Sequence, residues 1–230
     1  MKKVICLLII LVSVAQCYAQ DVQGAWKRNL DTAVQYLTIV DNYFSIATFS
    51  VSEKKFIRTR GGTTVIKDGK MIGIIEFNTA DKSEVKSNYS YDFQSNGKKL
   101  KLAAEGMKIN WELIDDASNA LYGNWRIIGR EQDSKIIPMN PGARKTVKIL
   151  SGTRFQWIAI NKETGDFFGT GGGNYAFANG IYTENIEFFS RDASRVGASL
   201  SFNAELKNGD WHHSGLSSKG DKIYEIWSRK

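Results

Sequence analysis

The sequence contains few of the residues that build disulfide, thiolate or histidine sites. Its 230 residues include two cysteines, two histidines and two prolines. Cys6 and Cys17 both lie in an N-terminal segment that we expect to be removed on export. A mature chain of roughly 210 residues would then have no thiol. This excludes disulfide bonds, cysteine nucleophiles and thiolate metal sites, even in an oxidising compartment.

Residues 1–19 have the pattern of a signal peptide. Two lysines precede an apolar run that ends at Val14, and Ala19 provides the small residue that cleavage requires. The run is too short for a comfortable membrane span, and the chain has no second apolar segment to partner it. We therefore expect an exported protein, periplasmic or secreted. A form that is lipid-anchored through Cys17 is the less favoured alternative, because the bulky Gln16 stands where lipoprotein signals have a small residue.

The chain also lacks long runs of one charge. Its formal net charge is +7, but the basic residues are scattered, with only short pairs such as Lys54-Lys55 and Lys98-Lys99. A nucleic-acid-binding face requires a clustered stripe of such residues. The charge pattern indicates a solvated surface, and we expect no nucleic-acid partner.

The main feature that the sequence does contain is an internal duplication. Ile39–Val85 and Leu150–Val196 align without a gap at an offset of 111 residues and share twelve identical positions, where composition alone gives roughly three. With small gaps, the match extends to Gly24–Trp26 against Gly123–Trp125. Shared positions are expected to serve the fold, and positions that differ are candidates for a specialised role. The shared pairs include Phe44/Phe155, Phe56/Phe167, Gly61/Gly172, Gly62/Gly173, Gly69/Gly180, Glu76/Glu187, Phe77/Phe188, Asp81/Asp192 and Val85/Val196.

Both copies predict antiparallel β-structure. Apolar and polar residues alternate with a period of two, and turn signals recur about every eight to twelve residues. Asp68-Gly69 and Asn208-Gly209 are dipeptides that favour tight hairpins. We therefore predict an all-β protein of two tandem antiparallel meander β-barrels: barrel 1 at residues 20–115, a linker at 116–121 and barrel 2 at 122–230. In the first copy we expect strands near 24–29, 36–41, 43–51, 56–60, 62–67, 70–78, 87–94 and 98–114, the last split at Glu105-Gly106.

Barrel 2 carries an insertion, Gly129–Arg144, that contains both prolines. This long loop comes directly after the first predicted strand. In a closed barrel it would lie at one mouth, a position from which it can act as a lid.

Three segments of the second copy resemble secreted lipocalin-like domains of unknown function from Bacteroidota. They are Lys148–Trp157, Gly169–Tyr175 and Tyr182–Phe188. The Gly-x-Trp at the start of each copy is similar to the opening of lipocalin-like barrels, and the resemblance extends more loosely over copy one. It implies an exported, lipocalin-like β-barrel whose opening tryptophan closes the floor against a basic residue of the last strand, with Arg229 as the candidate in barrel 2. It does not specify a ligand.

Differences between the copies place the candidate ligand contacts in barrel 2. Large aromatic residues replace smaller ones there, as where Trp157 corresponds to Ile46, and several arginines are added. Ligand cavities have apolar, aromatic walls with a few polar groups, and arginine binds carboxylate or phosphate. The alternative is that the aromatic residues simply fill the barrel. The candidate ligand-binding residues are Arg154, Trp157, Tyr175, Phe189, Arg191, Trp211, His212 and His213.

Two patterns that suggest other chemistry are better explained by the fold. Gly169–Gly173 is not followed by the helix that a phosphate loop requires, and copy one keeps Gly61-Gly62 at the same place. These glycines predict a bulge or bend in a curved sheet. Glu76 and Glu187 lie in separate copies, so they do not form an acid–base pair, and each is expected to be a paired structural carboxylate or to face solvent.

Together these features favour a non-enzymatic binding protein whose second barrel holds a small apolar or amphipathic molecule. We predict no catalytic residue, no metal and no cofactor. The alternative is a structural module of the cell envelope, whose filled barrels present their outer faces to a protein or glycan partner. An enzyme is the third option, and it predicts a polar cluster inside one barrel, with His212 or His213 near Glu187 or Asp210.

Overall fold

The protein is built almost entirely from β-strands. The computed structural model describes residues 22–139, 141–217 and 219–229. They form two closed, antiparallel, eight-stranded β-barrels in sequence, consistent with the tandem lipocalin-like barrels that the sequence predicts. Among these residues, no helix has the length and apolar character needed to cross a membrane. The predicted signal peptide, with Cys6 and Cys17, lies outside the described residues.

Barrel 1 is an up-and-down meander. Its strands are β1 (Gly24–Asn29), β2 (Val34–Val40), β3 (Tyr43–Ser50), β4 (Lys55–Thr63), β5 (Val65–Lys67), β6 (Lys70–Asn78), β7 (Asn88–Ser95), β8 (Lys99–Ala104) and β9 (Met107–Asp115). β1 pairs with both β2 and β9, and β4 pairs with β6, which closes the ring. The short β5 continues the path of β4 and pairs with β6.

Barrel 2 repeats this order with one addition. Its strands are β10 (Gly123–Gln132), β11 (Lys135–Pro138), β12 (Arg144–Leu150), β13 (Arg154–Asn161), β14 (Phe167–Ala178), β15 (Ile181–Phe189), β16 (Ser199–Lys207), β17 (Asp210–Leu216) and β18 (Lys222–Arg229). β10 pairs with both β12 and β18, which closes the ring. The predicted insertion forms the far half of β10 and the strand β11 that folds back on it.

Each barrel floor is closed by its opening tryptophan. Trp26 Nε1 donates to the Val22 carbonyl at 3.0 Å, and Trp125 Nε1 donates to the Leu121 carbonyl at 2.8 Å. Both indoles are almost completely buried. Arg229, which the family resemblance suggested as the partner of Trp125, instead contacts two residues outside the barrel floor. Its guanidinium forms an ion pair with Asp41 of barrel 1 at 2.7 Å and lies over the Tyr122 ring.

The shared glycine pair bends the wall of each barrel. The strand register shifts between Gly61 and Gly62 and again between Gly172 and Gly173, which confirms the predicted bulge. A Cβ atom on Gly173 would lie 1.9 Å from the Asn185 carbonyl oxygen. The neighbouring strand approaches so closely that only hydrogen fits at this position.

Gly173→Ala is therefore expected to lower the free energy of unfolding by about 3 kcal/mol, because the backbone of β15 must move away. Gly142→Ala is the matched control, since no atom lies within 4 Å of the position of its added Cβ. We expect that control to stay within about 0.5 kcal/mol of the wild type. Urea denaturation of both variants tests this, and equal midpoints would contradict the proposed close approach.

The barrels pack against each other through an apolar interface. One buried cluster joins Val40, Tyr43 and Phe77 of barrel 1 to four aliphatic residues of barrel 2, and a second cluster joins Phe49 to Phe188. As a result, β2, β3, β12 and β13 bury side chains on both faces, one set inside a barrel and the other between the barrels. The aliphatic residues of the first cluster are Val147, Ile149, Ile158 and Ile160.

A buried polar network lies at the centre of this interface. Ser45 Oγ donates to Gln156 Oε1 at 2.5 Å, and Gln156 Nε2 donates to the hydroxyls of Thr59 and Thr170 at 3.0 and 2.9 Å. Ser45 corresponds to Gln156 in the duplication, and Thr59 corresponds to Thr170. Because Ser45 meets its own counterpart and Gln156 binds both members of the Thr59/Thr170 pair, the copies are related by an approximate twofold axis, as in an isologous dimer.

The shared glutamates are paired near this interface. Tyr43 Oη and Lys145 Nζ donate to Glu76 Oε2 at 2.6 and 2.5 Å. The counterpart Glu187 accepts two hydrogen bonds of 2.7 Å from Arg154. Burial opposes ionisation of Glu187, but the Arg154 guanidinium more than compensates and holds the pKa of that carboxyl below its usual value. Both acids are therefore structural.

Candidate ligand-binding cavity in barrel 2

Barrel 2 contains a solvent-open cavity of about 280 Å³ along its inner wall. Phe189 ends β15, Ile223 lies near the start of β18 and Ser217 directly follows β17, so these three mark its mouth. Apolar residues form most of the wall, and several polar side chains interrupt it. The apolar set is Trp157, Ile186, Phe189, Leu200, Phe202, Ile223 and Trp227, and the polar set is Thr146, Lys148, Glu184, His213, Ser217 and Glu225.

Trp157 and Phe189 form one side of the cavity as an edge-to-face pair with ring centroids 5.4 Å apart. Gly171 makes this arrangement possible, because a Cβ atom there would lie 2.7 Å from Trp157 Nε1 and 2.9 Å from Phe189. Barrel 1 has Arg60 at the position of Gly171. Arg60 fills that space with a 2.7 Å ion pair to Glu84 and a hydrogen bond to a tyrosine hydroxyl.

A lysine and a glutamate form a buried ion pair in the cavity. Lys148 Nζ donates to Glu184 Oε1 at 2.8 Å, and their side chains are only 6% and 8% exposed. The ammonium also lies between three aromatic rings, 5.4 Å from the centroid of Tyr182, 5.2 Å from Trp211 and 5.3 Å from Trp227. Such cation–π contacts and a carboxylate partner offset the cost of burying the charge.

A second carboxylate, Glu225, lies beside His213 in the cavity. Glu225 Oε2 is 3.5 Å from His213 Nδ1 and accepts a 3.2 Å hydrogen bond from Trp227 Nε1. Its other oxygen lies 3.4 Å from the half-exposed Arg130. Neither ring nitrogen of His213 has a hydrogen-bond partner among the described residues, although the side chain is 2% exposed. An unpartnered buried polar group of this kind is costly.

Burial and charge determine the protonation states of this cluster. Burial lowers the pKa of His213, and the Lys148 ammonium lowers it further, so the imidazole is neutral near pH 7. Burial raises the pKa of Glu225, but His213 and Lys148 outweigh this and bring the pKa below its usual value. Burial, together with the Glu184 carboxylate, raises the pKa of Tyr182 well above its usual value. Tyr182 therefore remains a hydrogen-bond donor.

Barrel 1 has apolar residues or glycine at the positions of the polar cluster. Leu37 pairs with Trp26 as Lys148 pairs with Trp125. By the same register, Leu102 and Ile109 oppose each other where His213 and Glu225 do. Gly73 stands in place of Glu184. The cluster is thus a property of barrel 2 and is not required by the fold.

The cavity contains three of the eight candidate residues, Trp157, Phe189 and His213. The other five lie elsewhere. Tyr175 is buried in the barrel core and donates to the Ser151 carbonyl at 2.6 Å, while Trp211 is fully buried beneath Lys148. Arg154 is held at the inter-barrel interface by Glu187 and by the ring of Tyr36, 3.8 Å away. Arg191 is exposed, and His212 points outward to the Tyr224 hydroxyl at 2.7 Å.

Sequence reasoning missed Lys148, Glu184 and Glu225. The signal was present in the duplication, because each aligns with an apolar residue or glycine of barrel 1. The third option predicted a histidine near Glu187 or Asp210. The structure places His213 beside Glu225 instead and pairs Glu187 with Arg154.

The insertion reaches the barrel 2 core. Met139, directly after β11, packs against the same core cluster as Trp157, Leu200 and Ile223, which line the cavity. None of the described residues of the insertion lines the cavity itself, so the expected lid stays a prediction.

Comparison with known proteins adds no assignment. No protein-family model matches the chain, and no curated protein is significantly similar to it.

The buried imidazole predicts a specific pH dependence of stability. His213 titrates near 6.5 in the unfolded chain and at a lower pH in the folded one, so between those values the unfolded chain binds more protons. The free energy of unfolding should therefore fall as pH decreases from about 7.5 to about 5.5, by at most about 1.4 kcal/mol per pH unit. His213→Leu should flatten this slope, and His212→Gln should not. Urea titrations across the range test both variants, and an unchanged slope in His213→Leu would contradict the assignment.

Proposed function

We propose that the protein is a non-enzymatic binding protein that holds a small, partly apolar ligand in barrel 2. The observation that carries this proposal is a cavity whose aromatic wall is interrupted by a polar cluster that barrel 1 lacks. Walls of this composition are typical of ligand sites, which range from about 300 to 1,000 Å³. A cavity of about 280 Å³ fits a small ligand.

The binding mechanism follows from the lining. The apolar body of the ligand would be buried against Trp157, Phe189 and Leu200, with a gain of about 25 cal/mol for each Å² removed from water. The polar cluster at His213 and Glu225 would orient the other end. The buried imidazole of His213 supports this, because neither ring nitrogen makes a hydrogen bond within the described residues and a suitable ligand group would remove that cost.

Export belongs to the same proposal and rests on the pattern of residues 1–19. Processing by signal peptidase would leave Gln20 as the first residue, whereas lipidation would leave Cys17 at the new N-terminus. Mass spectrometry of the protein from fractionated cells distinguishes these forms. An intact N-terminus on a cytoplasmic protein would contradict export.

Binding is tested with protein purified from its natural source. Native mass spectrometry is expected to show a bound small molecule that is released on denaturation. Its removal and re-addition should change the fluorescence of Trp157 and Trp227, which line the cavity. If the molecule that is added back were recovered in a chemically altered form, this would instead indicate that the polar cluster catalyses a reaction.

Gly171→Arg provides the matched variant, because it introduces into barrel 2 the residue that barrel 1 has at this position. The side chain must displace Trp157 and Phe189, so we expect ligand affinity to fall at least about 10-fold. Asn203→Arg adds the same charge on the outer face of β16, where the side chain is exposed and does not line the cavity, and it should bind like the wild type. Equal loss in both variants would argue against the cavity as the site. Empty wild-type barrels would favour the alternative, a structural or interaction module of the envelope.

A further inference from the structure

We propose that the polar end of the ligand is an uncharged group that both donates and accepts hydrogen bonds, such as a hydroxyl or a primary amide. This inference rests on the proposed function and adds the chemical class of the ligand. It excludes fatty-acid carboxylates and alkylammonium ions as preferred ligands. The charges of the cavity are already paired with one another, as the next contacts show.

The first buried charge pair, Lys148 and Glu184, is already satisfied by contacts within the protein. Lys148 Nζ and Tyr182 Oη both donate to Glu184 Oε1, at 2.8 and 2.9 Å. The remaining surroundings of the ammonium include three aromatic rings within 5.4 Å. An anionic ligand would compete with Glu184 for the lysine and leave that carboxylate without its cation.

The second carboxylate is compensated from the barrel rim. Arg130 Nη2 lies 3.4 Å from Glu225 Oε1, and Trp227 Nε1 donates to Oε2 at 3.2 Å. The cluster therefore contains two cations and two carboxylates and is electrically balanced without a ligand. A charged head group would add one uncompensated charge to a largely buried site, which is strongly unfavourable.

The imidazole of His213 is the polar group that still needs a partner. In its neutral form one ring nitrogen donates and the other accepts. Neither makes a hydrogen bond within the described residues; the Glu225 carboxylate approaches Nδ1 to 3.5 Å, and Nε2 has no such neighbour. A hydroxyl or primary amide can donate or accept, whichever tautomer is present. Thr146 and Ser217 add two further hydroxyls to the cavity lining, which also suit an uncharged head group.

A matched series of octyl compounds tests the inference. 1-Octanol, octanamide, octanoate and octylammonium share one apolar body and differ in the head group, and each is titrated near pH 7.5 into delipidated full-length protein with tryptophan fluorescence as the readout. We expect the two neutral compounds to bind at least about 10-fold more tightly than either ion. Octanoate or octylammonium binding as tightly as octanol would overturn the inference while leaving the proposed function standing. No binding by any of the four would count against the proposed function itself.

A variant that removes one charge from the cavity tests the head-group preference separately from the hydrophobicity of the ligand. Glu225→Gln keeps the shape of the side chain and leaves Arg130 uncompensated, so the affinity for octanoate relative to octanol should rise at least about fivefold. Glu205→Gln is the control, because Glu205 is exposed on the outer face and pairs with Lys207. An octanoate-to-octanol ratio that is the same in both variants and the wild type would contradict the charge-balance argument.

Discussion

Lys148→Leu, which introduces the residue of barrel 1, is expected to lower the free energy of unfolding by about 3–5 kcal/mol. The loss does not measure the strength of the ion pair. It arises because Glu184, 8% exposed, keeps its charge in an apolar surrounding after its cation is removed. The three rings that surround the ammonium also lose their cation–π contacts.

The double variant Lys148→Leu with Glu184→Gln separates these contributions. The glutamine removes the uncompensated charge and still accepts from the Tyr182 hydroxyl, so it should recover about 2 kcal/mol relative to Lys148→Leu alone. Chemical denaturation of the two single variants and the double variant gives the coupling energy. Additive losses would mean that the two side chains are not coupled and that the pairing in the structure is wrong.

Phe188→Ala is expected to cost about 3–5 kcal/mol, although the side chain belongs to neither barrel interior. Phe188 packs between the barrels, with ring centroids 4.8 Å from Phe49 and 6.1 Å from Phe56 of barrel 1. Its counterpart Phe77 makes the equivalent contact with the aliphatic residues of barrel 2. The approximate twofold axis therefore predicts that Phe77→Ala costs a similar amount.

The same interface predicts that the two barrels unfold together. Tryptophan fluorescence and far-ultraviolet circular dichroism should give coincident urea transitions in the wild type, and both variants should shift the single midpoint downward. A loss below about 1 kcal/mol in either variant, or two separate wild-type transitions, would show that the interface contributes little to stability.

The barrel architecture was largely predictable because it depends on local signals. Asp68-Gly69 and Asn208-Gly209 both lie in hairpin turns with positive φ at each residue, as these dipeptides favour. The split at Glu105-Gly106 is also observed, between β8 and β9. The alternation is weak in any single strand. Because the duplication shows the same succession of strands in both copies, it strengthened the prediction.

The candidate site was only partly predictable because β12 and β13 are buried on both faces. In β12, Lys148 faces the barrel interior while Val147 and Ile149 face the other barrel, and the apolar neighbours hide the alternation. The comparison of the two copies also could not distinguish positions between the barrels from positions inside them. Both Tyr43/Arg154 and Ile46/Trp157 are corresponding positions at which the copies differ. The first pair lies between the barrels, whereas the second lies inside them.

The sequence by itself determined that this chain is a duplicated all-β protein whose second copy differs in aromatic and charged residues. The alternation of residues, the turn dipeptides and the repeat are local or linear features, so they can be recognised without the tertiary structure. The tertiary structure decided which differences face a cavity and which face the other barrel. It also brought Lys148, Glu184, His213 and Glu225 together from four strands, because closure of the barrel places residues that are distant in sequence on one inner wall.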